Sequence, residues 1–474
     1  MRRPLLVLFT VALAVTACTA PKPPAPSPAP VSPQSEPSPA ERGRSEPVAD
    51  PLYPEYGNPA IDVLHYDLKL DWRPGSRTLT GTAALTLRAV SPLSSVRLDF
   101  GRALEVDDVT VNGGKALPTR KGDDLTVPLA RPIGAGHSAI VTVRYHGTPK
   151  PIDTGLWRED LSVLGFHTRA GGRAWALQEP FGSFTWFPVN DHPSDEALYD
   201  VAITMPKGWS GVAHGTYRGN TISGRTSTFR WRSTDSVASY LTVFAADRFR
   251  MFRDKGPRGI PITYWIRPGD VAEQLPVART MPAAIRWLEK KLGPYPFPSA
   301  GLVATSESGM ETQQMIALGP DYMRPEVVAH ELAHHWFGDT VTPRTWRDVW
   351  LNEGFAMYFQ ILWEAEHGDE TLEDLLDDLR FQDAGLRAEH GPPGNYKRDS
   401  FGESNVYYGP ALMLHEIRAR LGDRRFFAMI RAWPQEHRNT TQDRASFVAW
   451  LNEHTGEDFT ALVDTWLDSE TTPR

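Results

Sequence analysis

Along the first half of the chain, apolar and polar side chains alternate at period two. Tyr66, Leu68, Leu70 and Trp72 fall on one side, with Asp67, Lys69 and Asp71 between them. That is the pattern of a strand with one buried face. Leu79–Leu87 repeats it more weakly, and Val96–Phe100, Val109–Val111 and Ile140–Tyr145 follow. Asn112-Gly113-Gly114 is a hairpin turn signal. Short strands between turns predict an antiparallel β domain. No helical stretch of useful length interrupts it before about residue 250.

The period then changes. Gly256-Pro257-Arg258-Gly259 punctuates the chain, and Val271–Leu292 takes helical spacing through Ala272, Leu275, Ala278, Met281, Ile285 and Leu288. Pro276 and Pro282 predict a break inside that stretch. From Pro325 onward the pattern is mostly helical. The body therefore divides into an all-β domain over 53–250 and a mainly helical domain over 251–474, with no internal repeat.

The N-terminus has a different character. Arg2 and Arg3 precede an apolar run, Leu5–Ala17, of about 13 residues. A bilayer span needs about 20, so residues 1–17 read as a secretory signal peptide. Val15-Thr16-Ala17-Cys18 resembles the bacterial lipoprotein signal, in which a cysteine after a small residue becomes lipidated. Cys18 is the only cysteine in the chain. Residues 20–51 are rich in proline, alanine and serine and have no apolar period. Such a segment favours extended polyproline II, so 18–52 is expected to be a tether. The chain is then exported and lipid-anchored through Cys18 on the extracytoplasmic face of a membrane. A net charge of −8 leaves no basic footprint for nucleic acid.

The candidate chemistry lies in the helical half. His330-Glu331-Leu332-Ala333-His334 is an H-E-x-x-H motif in a stretch that reads as helix and stops at Gly338. Positions i and i+4 share a helix face, so both imidazoles can reach one metal ion, with Glu331 beside it. Glu353 follows after eighteen intervening residues, near the start of a second helix for which Asp348 is a candidate N-cap. Two histidines and one carboxylate leave a fourth position open, as in catalytic zinc sites. Magnesium and calcium prefer oxygen shells, so zinc is the expected metal, one per chain. His335 points about 100° off the metal face and is assigned to packing. The sequon Asn439-Thr440-Thr441 is a pattern match only.

HELAHHWFGDTV followed by WLNEGFAMYF resembles the M1 family of zinc metallopeptidases, most of them aminopeptidases. YDLKLDW, WFPVNDHPSDEA and GPYPFP extend the resemblance over nearly all of the body. It implies a β saddle domain followed by a thermolysin-like (gluzincin) catalytic domain. It also implies zinc on His330, His334 and Glu353, and Glu331 as general base. Gly309-Met310-Glu311 matches the family's G-x-M-E-N segment, whose glutamate binds the substrate's α-amino group. Thr312 replaces the usual asparagine. Aligning the family's oxyanion tyrosine on Ala411 selects Tyr407 over Tyr408, with Pro410 at the family's glycine position. Counting back from Pro188 selects Glu179 as a second contact to the amino terminus.

The resemblance implies hydrolysis of the N-terminal peptide bond of peptides with a free N-terminus. About 120 residues follow Glu353, so an open cleft is expected, because many M1 enzymes close theirs with a further helical domain. Two alternatives stay open: a zinc endopeptidase using an open cleft, and a surface binding protein that has lost catalysis.

Overall fold

The period-two segments are strands, and their apolar sides are buried. The computed structural model describes residues 42–307 and 309–473. The expected signal peptide, Cys18 and the first part of the tether lie outside the described residues.

Strand Ile61–Arg73 buries Tyr66, Leu68, Leu70 and Trp72 and leaves Lys69 exposed. It pairs antiparallel with Thr78–Ala89, whose weak pattern nevertheless alternates fully in burial. On its other side it pairs with Glu196–Pro206, and this pair is parallel, with Leu68 opposite Val201. The main sheet has nine strands and is therefore mixed, not purely antiparallel as the pattern suggested. A five-stranded sheet containing Val163–Thr168 and Ala174–Leu177 and a three-stranded sheet complete the β domain.

The last part of the segment expected to be a tether is packed against the folded body. Pro47 and Asp50 are buried. Ser45 donates to Asp62, and the Val48 N–H donates to Ser194. Asp50 accepts from the N–H groups of Leu52 and Tyr53 and, through its other oxygen, from the N–H of Trp346 at 2.8 Å. Residues 45–52 are thus stitched to the β domain and to the helical half. Proline-rich composition did not predict this, because the anchoring groups are two isolated polar side chains and one backbone N–H.

The second half begins with a sheet that the pattern did not reveal. Its strands are Arg250–Lys255, Pro261–Ile266, Ala300–Ala304, Ile316–Leu318 and the two-residue edge Gly309–Met310. Every residue of Ala300–Ala304 and Ile316–Leu318 is buried, so no alternation marks them. The helices are α1 (Val271–Ala278), α2 (Met281–Leu292), α3 (Pro325–His334), α4 (Trp350–His367) and α5 (Leu372–His390). They continue as α6 (Asn405–Leu421), α7 (Asp423–Glu436), α8 (Arg444–Thr455) and α9 (Thr460–Asp468).

The predicted break falls between α1 and α2, with Pro276 inside α1 and Pro282 in the first turn of α2. Asp348 does not cap α4. It lies in a 3₁₀ turn, and its carboxylate accepts from the N–H of Arg444 at the start of α8. No helix among the described residues is long and apolar enough to cross a membrane.

One contact sets the spacing between α4 and α6. A Cβ on Gly354 would lie 2.3 Å from the Cβ of Pro410, so only glycine allows this approach. The apolar core of the β domain continues into the helical half through Trp346, Val349 and Val406.

Asp50 ties these layers together. Burial opposes its charge, but His192 and the N–H groups of Trp346 and Tyr53 outweigh burial and hold its carboxyl below the ordinary value. A depressed folded-state pKa adds stability above the unfolded value of about 3.9, and that stability is lost as pH falls through the folded value. Asp50→Ala should cost about 2–4 kcal/mol at pH 7. The deficit should shrink toward pH 3, as followed by urea unfolding at the two pH values.

Candidate metal and peptide site

Helix α3 starts on Pro325, whose fixed φ suits a first helical position. Four residues of helix bring His330 and His334 onto one face, with their Nε2 atoms 3.1 Å apart. Glu353 lies in the first turn of α4. Its Oε2 is 3.4 Å from His330 Nε2 and 3.3 Å from His334 Nε2. All three residues are buried. His334 Nδ1 lies 3.1 Å from the Phe337 carbonyl, which can only accept. Nδ1 is then the protonated nitrogen, and Nε2 presents a lone pair.

These atoms fit zinc. Tetrahedral zinc with bonds of about 2.0–2.1 Å requires ligand atoms about 3.3 Å apart. Three buried ligand atoms at that spacing can all be satisfied by one cation between them. Asn352 donates to the hydroxyl of Tyr240, and Tyr240 donates to the Gly338 carbonyl just beyond α3. A β-domain side chain thus ties the two ligand helices together.

A cavity of about 400 Å³ opens beside this cluster. Leu164, Leu177 and Met310 give it an apolar wall. Glu331 also lines it, and its carboxylate, that of Glu311 and a His334 nitrogen lie within 4.8 Å of one another. Gly309 leaves space for that carboxylate, because a Cβ there would sit 3.0 Å from Glu331 Oε1. Gly309 thus leaves room for the Glu331 side chain.

Glu179 and Glu311 are both buried, and Oε1 of each has no hydrogen-bond partner. Burial pushes the Glu179 carboxyl well above its ordinary value, and the charges of Glu311 and Glu353 push it further. Burial likewise raises Glu311 and Glu331. Burial opposes ionisation of Glu353 too, yet His334 and the two imidazole contacts hold its carboxyl far below the usual range. Gln178, the neighbour of Glu179, is committed elsewhere: its amide donates to Thr242 and accepts from Trp186.

Tyr407, in the first turn of α6, stacks against His330 with ring centroids 6.1 Å apart. Its hydroxyl is 2.7 Å from Arg158 Nη1. Tyr408 also lines the cavity but packs on the helical core. His335 turns away from the ligands, with Nδ1 2.8 Å from the hydroxyl of Tyr295. Sequence reasoning missed Arg158, Asp160 and Tyr322. No local motif surrounds them, and Arg158 lies 249 positions from the tyrosine it meets.

The fold and this cluster define a zinc metallopeptidase with an H-E-x-x-H helix and a distal glutamate ligand. Comparison with known proteins agrees. The peptidase M1 N-terminal domain matches residues 63–241, and the peptidase family M1 domain matches residues 281–466. The chain belongs to peptidase family M1.

The M1 zinc metallopeptidase of Deinococcus radiodurans superposes with a TM-score of 0.79 at 26% identity, covering 90% of this chain and 97% of that one. A mutant of that enzyme bound to a Tyr-Ser-Ala substrate gives the same TM-score and identity, covering 90% of this chain and 98% of that one. Glutamyl aminopeptidase of Mus musculus is 24% identical over 64% of this chain and 35% of its own length. Aminopeptidase 2 of Candida albicans is 23% identical over 86% of this chain and 47% of its own. The chain spans about half or less of the length of these curated relatives.

The purified protein should carry about one zinc per chain by atomic emission. His334→Ala and Glu353→Ala should each lose it, while Glu331→Gln should keep it, because Glu331 is not in the ligand set.

Proposed function

We propose that the protein is a zinc-dependent aminopeptidase, hydrolysing the first peptide bond of peptides with a free N-terminus. One observation carries the reading. Two buried carboxylates, Glu179 and Glu311, face the metal-site cavity with an unpartnered oxygen each. Unpaired acceptors of this kind are costly to bury, and a terminal ammonium would satisfy both.

His330, His334 and Glu353 would hold the zinc, which would supply Lewis acidity at the site. Glu331 is placed to take a proton from the attacking water. It then passes that proton to the leaving amine. Tyr407 donates a hydrogen bond to the oxyanion that develops on the carbonyl oxygen. Glu311 and Glu179 set the register by holding the ammonium one residue from the cleaved bond. The wall of Leu164, Leu177 and Met310 accommodates apolar side-chain surface.

An aminoacyl anilide should be cleaved at least a hundredfold faster than its N-acetylated form. Equal rates would instead favour a zinc endopeptidase. Glu331→Gln should lower kcat by about 10²–10⁴ while zinc stays bound, the range expected for loss of a general base. Near-normal turnover would exclude the mechanism.

We also propose that the chain is exported and anchored in a membrane through a lipid on Cys18, facing the extracytoplasmic side. The short apolar run, the placement of the single cysteine and the proline-rich segment after it support this reading. Cys18→Ala should move the protein from the membrane fraction to the soluble fraction, and an unchanged distribution would refute the anchor.

A further inference from the structure

Arg158 belongs to the β domain, just before the 3₁₀ turn Glu159–Leu161, yet it reaches the tyrosine on α6. Its Nε and Nη2 bond both oxygens of Asp160, at 2.8 and 3.0 Å. Its Nη1 donates to the Gly402 carbonyl at 2.6 Å and to the Tyr407 hydroxyl at 2.7 Å. Asp160 is in turn fixed by the hydroxyl of Tyr322, which donates at 2.9 Å from the helical half. Arg158, Tyr322 and Tyr407 all line the metal-site cavity.

The chemistry of the donor decides what this contact does. A guanidinium has donors only, so the Tyr407 oxygen must accept from it. The phenolic hydrogen is then left free to donate in another direction. The bidentate pairing with Asp160 leaves the guanidinium little rotational freedom. A cation held against the phenol oxygen also draws electron density from the O–H and strengthens its donation.

We propose that Arg158 is a positioning residue. It fixes the Tyr407 hydroxyl as a donor toward the substrate carbonyl and strengthens that hydrogen bond, so that the β domain completes the reaction centre. The inference rests on the aminopeptidase reading, in which Tyr407 meets the oxyanion. It goes beyond that reading by assigning work at the reacting carbonyl to a residue from the other domain. Asp160 and Tyr322 act one contact further out, by holding the guanidinium.

The test is a double-mutant cycle with an aminoacyl anilide, read as kcat and KM separately. Arg158→Met should lower kcat by about 10–100-fold and change KM by less than threefold, with zinc content unchanged. Arg158→Lys should restore part of the loss, because it keeps the charge but not the bidentate hold. In a Tyr407→Phe background, Arg158→Met should cost less than threefold more. Losses that multiply in the double variant, or a loss carried by KM, would overturn the proposal.

If Arg158→Met does not fold, Tyr322→Phe supplies the milder cut. It should lower kcat several-fold, and only when Tyr407 is present. An unchanged kcat there would count against the proposal. A wild-type protein that cleaves no free-amine substrate would refute the aminopeptidase reading and leave the contact itself open to a direct measurement. In protein labelled with ¹³Cζ-tyrosine, the Tyr407 resonance, assigned through Tyr407→Phe, should move in Arg158→Met or, where that variant does not fold, in Arg158→Lys. An unmoved resonance would overturn the inference whatever the protein hydrolyses.

Discussion

Three buried acceptor atoms converge on one point, and most of the molecule is arranged around that convergence. His330, His334 and Glu353 bring two imidazole nitrogens and a carboxylate oxygen to within 3.1–3.4 Å of one another. Taking these groups out of water is costly. Zinc converts the cluster into a stable centre, and binding energy at such a site adds to the stability of the folded state. The same logic extends outward. Glu179, Glu311 and Glu331 are further buried carboxylates lining the same cavity. A site this acidic favours cations: the metal ion first, then an ammonium group.

The cavity beside the cluster takes its shape because α4 and α6 meet at a fixed spacing. Gly354 on α4 lets Pro410 on α6 approach, so Glu353 and Tyr407, each near the start of its helix, face the same cavity. The β domain supplies what α4 and α6 do not. Tyr240 bridges the end of α3 and the start of α4. Glu179 contributes one of the two unpartnered acceptors, and Arg158 reaches Tyr407. The apolar core runs through this boundary without a break, by way of Trp346 and Val406. The two halves therefore work as one body, and Asp50 fastens the start of the described chain across both.

The strand pattern of the β domain was legible because its main sheet buries one face of strands such as Ile61–Arg73. The strands Ala300–Ala304 and Ile316–Leu318 were not, because burial on both faces removes the alternation. The parallel pairing of Ile61–Arg73 with Glu196–Pro206 is a long-range register that no local period encodes. Asp348 looked like a cap for α4 by position, yet its carboxylate accepts from Arg444, a residue distant in the chain.

The candidate site divides in the same way. His330, Glu331 and His334 are read from one helical turn, since 3.6 residues per turn makes an i, i+4 pair a spatial pair. Glu353 followed as a candidate third ligand on the next helix, and the resemblance to family M1 then placed Glu311, Tyr407 and Glu179 by motif and count. By itself the sequence determined the metal chemistry, the two-part division of the body and the side chains able to carry a reaction. That the Gln178 amide is occupied by Thr242 and Trp186, while Glu179 keeps an unpartnered oxygen, is visible only in the tertiary structure. The pairing of Tyr407 with Arg158 likewise belongs to the tertiary structure alone. Hydrogen bonds depend on where chain segments meet in space, and that proximity leaves no local trace in a linear pattern.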